Sequence, residues 1–253
     1  MQSIRPLSFG ERRVTVSGQG EYNSLGKLID GSSDTGYRIS ASYVDQFADN
    51  TIGLAIGAAR MDSPFQEQQE KAWWWGNPDA WGAPQVGKPP GAVARQAGEA
   101  ALKSRDLTRD GVMAVLEFKP SDSFHSLLDL YYSKFDQDEA ENSIMWNNDP
   151  WWSANGSGVT YSNAGLTQVG GVPVVTSGTL HGVGALNMLN EMNTREDKLF
   201  SAGWANTFQW GDIYTLKTDL SYSSAESVRT TLELQSAFAT PRDIDFNLTT
   251  GAG

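Results

Sequence analysis

Seven stretches of this chain alternate apolar and polar side chains with a period of two, each for about ten residues. Successive side chains of an extended strand point to opposite faces, so each stretch builds one apolar and one polar face. Val14, Val16 and Tyr22 share a face in the first, and Tyr37, Ile39, Ala41, Tyr43 and Phe47 in the second. Ile52, Leu54, Ile56 and Ala58 follow, then Val112, Ala114, Leu116 and Phe118, then Phe124, Leu128, Leu130 and Tyr132. Phe200, Ala202, Trp204, Phe208 and Trp210, with Tyr214, Leu216, Leu220 and Tyr222 after them, complete the set. The spacing predicts antiparallel strands near 11–22, 36–47, 51–60, 109–119, 124–135, 198–210 and 212–223, in sequential up-and-down order. The fold class is all-β.

The connections alternate too. Ala48-Asp49-Asn50, Pro120-Ser121-Asp122-Ser123 and the Gly211-Asp212 corner are short and made of turn residues. Long segments at 61–108, 136–197 and 224–253 separate them, and loops of that length are foreign to an ordinary compact domain. Short turns at one end of a sheet and long loops at the other are the pattern of an outer-membrane barrel. Phe47, Phe118, Phe124, Trp210 and Tyr214 sit beside the short turns, while Tyr22, Tyr37, Tyr132, Phe200 and Tyr222 sit at the opposite strand ends. Two aromatic belts around an aliphatic band match the two headgroup levels of a bilayer. Leu54, Ile56, Leu116, Leu128 and Leu216 are therefore expected to point away from the barrel interior. A soluble β-sandwich with scattered aromatics is the rival reading.

The phrases IRPLSFGERR, GYRISASYVDQFADNTIGLAIGAAR, DGVMAVLEFKPSDSF and LLDLYYSKF resemble the barrel of TonB-dependent receptors, in particular the Caulobacter/Xanthomonas-type subgroup. The likeness runs through every strand segment. It implies an incomplete up-and-down transmembrane β-barrel of about seven strands, in the outer membrane of a Gram-negative bacterium. In that family a plug domain fills a 22-stranded barrel, and an inner-membrane TonB complex supplies the energy. Residues 1–10 would be the end of the plug, with Arg5-Pro6-Leu7 at its exit. Residues 11–253 would be partial barrel, with extracellular loops at about 61–108, 136–197 and 224–253. Set against that family pattern, the expectation is that the plug is missing and that the sequence stops mid-loop at Asn247-Leu248-Thr249, and an odd strand count cannot close a bacterial barrel. The expectation is a fragment.

Charge and composition narrow the alternatives. Asp and Glu number 30 against 19 Lys and Arg, a net charge of −11 that repels nucleic-acid backbones. No cysteine is present and only two histidines, so thiolate chemistry is excluded and a His-rich metal site is not expected. No apolar run reaches the roughly 18 residues of a membrane helix, a lack that β-barrels share. No cofactor is implied, and the chain is not read as an enzyme.

Local motifs carry little chemistry. His125 and Asp129 share a strand face but lie about 13 Å apart along it, which suits a lumen-facing polar pair rather than a triad. His181, within Gly178-Thr179-Leu180-His181-Gly182, reads as a loop residue. Gly82 to Lys88 matches the start of a phosphate-binding loop, but Pro89 stands where a hydroxyl should hold magnesium. Residues 92–106 have the composition of a short loop helix. The acidic run Asp136 to Glu141 lacks calcium-loop spacing and reads as a solvated rim. Trp73, Trp74, Trp75 and Trp81 in one long segment, with Trp146, Trp151 and Trp152 in the next, are the candidate ligand-binding residues. Indole faces stack on sugars or aromatic siderophore rings, and they also pin loops together.

The function expected is active uptake of a scarce, bulky siderophore or carbohydrate. Its partners would be outer-membrane lipid, the small-molecule or oligosaccharide ligand, and the TonB complex acting through a plug absent from this chain. The rivals are a soluble carbohydrate-binding β-protein and a passive porin-like barrel.

Overall fold

A computed structural model of the chain describes residues 4–148, 158–211 and 213–249. These residues form ten strands: β1 (Arg13–Tyr22), β2 (Thr35–Phe47), β3 (Ile52–Gly76), β4 (Ala94–Ser121), β5 (Phe124–Asn147), β6 (Thr160–Val169), β7 (Val172–Val183), β8 (Ala185–Trp210), β9 (Tyr214–Ala237) and β10 (Arg242–Asn247). Short 3-10 turns occupy Pro6–Ser8 and Pro78–Trp81. No helix of the described residues is long and apolar enough to cross a membrane.

The seven alternating segments become β1, β2, β3, β4, β5, β8 and β9, hydrogen-bonded side by side in that order. Their arrangement is antiparallel and up-and-down. Register fixes the facing: Val14 lies opposite Tyr43, and Tyr43 opposite Ile56, so one apolar row crosses three strands. On the other face Thr15 meets Ser42, and Ser42 meets Gly57. The β2–β3 turn places Ala48, Asp49 and Asn50 at φ of 52°, 55° and 63°. Asp and Asn tolerate that left-handed region better than other L-residues, and Thr51 closes the turn by bonding the Ala48 carbonyl through both N–H and Oγ1.

Several expectations need correction. The described residues form ten strands rather than about seven, because β10, β7 and β6 form a second sheet. Much of the segments read as long loops is also strand: β3 runs to Gly76, β4 begins at Ala94, β5 runs to Asn147 and β8 begins at Ala185. These extensions carry no sequence signature, because residues such as Gln66-Glu67-Gln68-Gln69-Glu70-Lys71 are polar on both faces and show no apolar period. The short helix expected at 92–106 is instead mostly β4, where Ala94, Ala97 and Ala101 are buried and packing overrides alanine's low strand preference.

The chain divides into two compact units. The first comprises Met1–Gln66, Ser104–Glu139 and Asn193–Thr231, and contains the three short turns. Its small buried core is Val44, Ala55, Val115 and Leu127, with Phe9 and Met113 packed against it. The second comprises Glu67–Lys103, Ala140–Met192 and Leu232–Gly253. Its core is Ala92, Ala94, Val159, Tyr161, Val175, Leu180 and Val183, flanked by Trp146, Ile244 and Phe246.

Candidate functional site

In the first unit the sheet's two faces differ sharply. The face that carries Val16, Ile56, Leu116, Leu216 and Leu220 is open to solvent, with Val16 75% and Leu220 63% exposed. Leu54 and Leu128, expected on this same face, are half-buried. Aromatic side chains gather at its ends. Phe118, Phe124, Phe208 and Trp210 form a continuous series beside the short turns, with successive centroids 6.1, 4.9 and 6.0 Å apart. Phe200 and Tyr222 pair at 6.3 Å farther along the strands. Arg60 bonds the Tyr37 hydroxyl at 3.2 Å and pairs with Asp110 at 3.1 Å, holding its guanidinium at a polar rim.

The reverse face is polar and internally bonded. Ser17 and Ser40 hydroxyls meet at 2.7 Å, and Arg109 reaches Ser133 at 3.2 Å and Tyr131 at 3.3 Å. A hollow of about 720 Å³ opens there, with Thr15, Ser17, Arg38, Ser42, Met113 and Arg109 in its wall. Glu117 is buried. Its Oε2 accepts the Leu7 backbone N–H at 2.9 Å, and its Oε1 lies 2.8 Å from His125 Nε2. Gln46 donates to the Pro6 carbonyl at 2.7 Å. The segment around Pro6–Ser8 is thereby moored to the polar face. His125 takes its partner from across the β4–β5 turn, a pairing that i,i+4 reasoning within one strand could not find.

Five of the candidate ligand-binding tryptophans are described in the second unit. Trp73, Trp74 and Trp75 lie at the C-terminal end of β3, Trp81 in the 3-10 turn that follows, and Trp146 in β5. Trp74 and Trp81 stack at 5.5 Å and 21°, and both keep exposed surface. Trp146 lies under the Arg95 guanidinium, 4.3 Å from its centroid, and packs on the core. Arg95 is held in turn by Glu70 and by the Lys71 carbonyl at 2.9 Å. Trp151 and Trp152 lie outside the described residues.

The segment that resembles a phosphate loop is closed to phosphate. Lys88, its lysine, is fully buried, with Nζ 2.8 Å from Asp79, 2.9 Å from the Ala92 carbonyl and 3.3 Å from Asn77 and the Pro89 carbonyl. Gly87, at φ +79°, lets this loop touch β6: a Cβ there would lie 1.9 Å from the Tyr161 carbonyl oxygen. Gln85, Gln96, Asn148 and the Tyr161 hydroxyl form a buried polar chain beneath it. Burial pushes the Tyr161 hydroxyl well above the ordinary phenol range, against the opposing bonds from Asn148 and Gln96. The acidic run Asp136 to Glu141 is strand rather than a loop rim. In the first unit Asp136 pairs with Lys134 at 3.0 Å, and in the second Glu141 pairs with Lys103 at 2.6 Å. Among the described residues no group of three His, Asp or Glu side chains is arranged to hold a metal ion.

His181 is likewise in a strand, β7, not in a loop. It sits between Ser162 and Asp243, residues 19 and 62 positions away. No short motif carries that constellation. The one legible signal nearby was Gly170-Gly171, at φ of 59° and 82°, whose two consecutive positive φ values suit the tight hairpin turn between β6 and β7.

No protein-family model matches the chain, and no curated protein matches it by sequence.

Proposed function

We propose that the chain is part of the transmembrane β-barrel of a TonB-dependent outer-membrane receptor that imports a bulky siderophore or carbohydrate. One observation carries the reading. In the first unit an up-and-down sheet leaves an aliphatic face bare between two groups of aromatics, while its reverse face carries bonded polar residues. An apolar surface of that extent marks a membrane or a partner interface. The polar reverse face and the aromatic ends favour lipid. The stacked Trp74 and Trp81 offer an apolar platform for a ring-bearing ligand.

The test is depth-dependent fluorescence quenching. The chain is reconstituted into vesicles whose acyl chains are brominated, and Trp204→Phe and Trp210→Phe variants are measured beside it. Loss of the quenched fraction in these two variants is the expected result. A chain that stays monodisperse in detergent-free buffer and shows no quenching is instead a soluble sugar-binding β-protein, the reading that the Trp74–Trp81 stack supports next best.

A further inference from the structure

The three-stranded sheet of the second unit places a serine, a histidine and an aspartate in an unbroken hydrogen-bonded line. Ser162 Oγ lies 2.7 Å from His181 Nε2, and His181 Nδ1 lies 2.8 Å from Asp243 Oδ2. The other Asp243 oxygen accepts the Gly182 N–H at 3.1 Å, which orients the carboxylate. An ionised carboxylate only accepts, so Nδ1 carries the imidazole hydrogen and Nε2 is left to receive the Ser162 hydroxyl proton. Each residue comes from a different strand: Ser162 from β6, His181 from the central β7, and Asp243 from β10.

Strand alternation puts the neighbours Tyr161, Leu180 and Ile244 toward the core, and the line of three on the opposite face. That face is open, with the His181 side chain 40% and that of Asp243 62% exposed. The backbone is irregular at all three positions. The β6–β7 register shifts directly after Ser162, where Asn163 adopts φ +53°, and the β7–β10 register shifts between Arg242 and Ile244, around Asp243. Bulges re-aim side chains and strained non-glycine residues cluster at functional sites. Regular ladders also set one residue of each edge strand beside a central one, as in the Val14–Tyr43–Ile56 row; the register shifts here decide that Ser162 and Asp243 are the two that flank His181.

We propose that Ser162 and His181, positioned by Asp243, form an acyl-transfer site that hydrolyses carboxylic esters presented at this open face. Ser162 Oγ attacks the ester carbonyl carbon while its proton passes to His181 Nε2. The bond to the alcohol oxygen breaks, and the alcohol leaves with that proton. Water then gives a proton to Nε2 and attacks the acyl-serine carbonyl. The bond to Oγ breaks, Ser162 recovers its proton, and the carboxylic acid departs. Nothing is oxidised or reduced, and water is the only co-reactant. The His181 bond, and secondarily the Gly182 N–H, hold the Asp243 carboxyl below its usual range, so it is ionised at neutral pH.

A fluorophosphonate probe tests this directly, because it phosphonylates an activated serine and releases fluoride. The full chain is labelled and the modified peptide is mapped by mass spectrometry. Label on Ser162, absent in Ser162→Ala and slowed about 100-fold or more in His181→Ala, is the expected result. Asp243→Asn slows labelling, Asp243→Glu recovers a good part of the rate, and Thr179→Val on the same face leaves it unchanged. Labelling no faster than in the heat-denatured chain, or spread over serines without preference for Ser162, overturns the proposal. The three side chains are then a cross-strand polar ladder. None of these outcomes depends on membrane insertion.

Discussion

The buried Lys88 pairs with the half-buried Asp79, with Nζ 2.8 Å from Oδ2 and no part of the lysine side chain in contact with solvent. Asp79 also accepts the Gly91 N–H at 2.9 Å, so a single carboxylate ties both ends of the 79–91 loop. Removing the partner of a fully buried charge costs about 3–5 kcal/mol, and the partial exposure of Asp79 and the Asn77, Pro89 and Ala92 oxygens left to Lys88 put this case at the lower end. Asp79→Ala is expected to destabilise the second unit by that order. Hydrogen exchange over residues 77–93 is the measurement, and unchanged protection would refute the cage.

The same carboxylate gives a pH dependence. Burial raises the Asp79 carboxyl, but the Lys88 bond, the Gly91 N–H and the Lys88 charge outweigh it and hold the group below its ordinary value of 3.8. A depressed carboxyl stabilises the fold above the unfolded-state value and loses that contribution as pH falls through the folded-state value. Loop protection should therefore hold at pH 5 and above and fade below about pH 4. In Asp79→Asn the acid-dependent step should vanish.

Glu117 moors the chain before β1. Glu117→Ala removes the acceptor for the Leu7 N–H and the partner of His125, a loss of about 1–3 kcal/mol. Faster exchange of the Leu7 amide, with the β1–β2 ladder still protected, is the expected outcome. Equal loosening of both would make Glu117 a general core residue.

The lipid-facing reading predicts an asymmetry between neighbouring rows. Ile56→Arg puts a charge on the bare apolar face and should cost about 2–4 kcal/mol in a bilayer if that residue lies near the midplane. Thr15→Arg points to the polar hollow and should cost far less. Ser133, also on the reverse face, makes a poor control: it is buried against Arg109, so a second guanidinium there meets like charge. Equal costs for Ile56→Arg and Thr15→Arg, read by urea unfolding in vesicles, would reject the facing.

Gly76 leaves room for the Trp81 ring, since a Cβ at residue 76 would lie 2.5 Å from it. Gly76→Ala should separate Trp74 from Trp81 and abolish the exciton couplet of their stacked indoles in circular dichroism. If the pair binds ligand, Trp81→Ala should weaken affinity for ring-bearing solutes by tenfold or more while folding is kept. Unchanged affinity would make the stack loop packing only.

The sequence alone determined the all-β class, the seven strands of the main sheet and their up-and-down order. Those features are local: a period of two sets which residues share a face, and turn residues such as Asp49-Asn50 punctuate the strands. Tertiary structure decided what has no local period. The polar extension of β3 past Arg60 became strand because its neighbours pair with it, not because its own side chains alternate. The pairing of His125 with Glu117 crosses a turn, and Lys88 found its carboxylate only after the loop closed. Ser162, His181 and Asp243 met because register and two bulges aligned three strands. A linear pattern records which face a side chain occupies; which distant strand lies beside it is set by backbone pairing across the sheet.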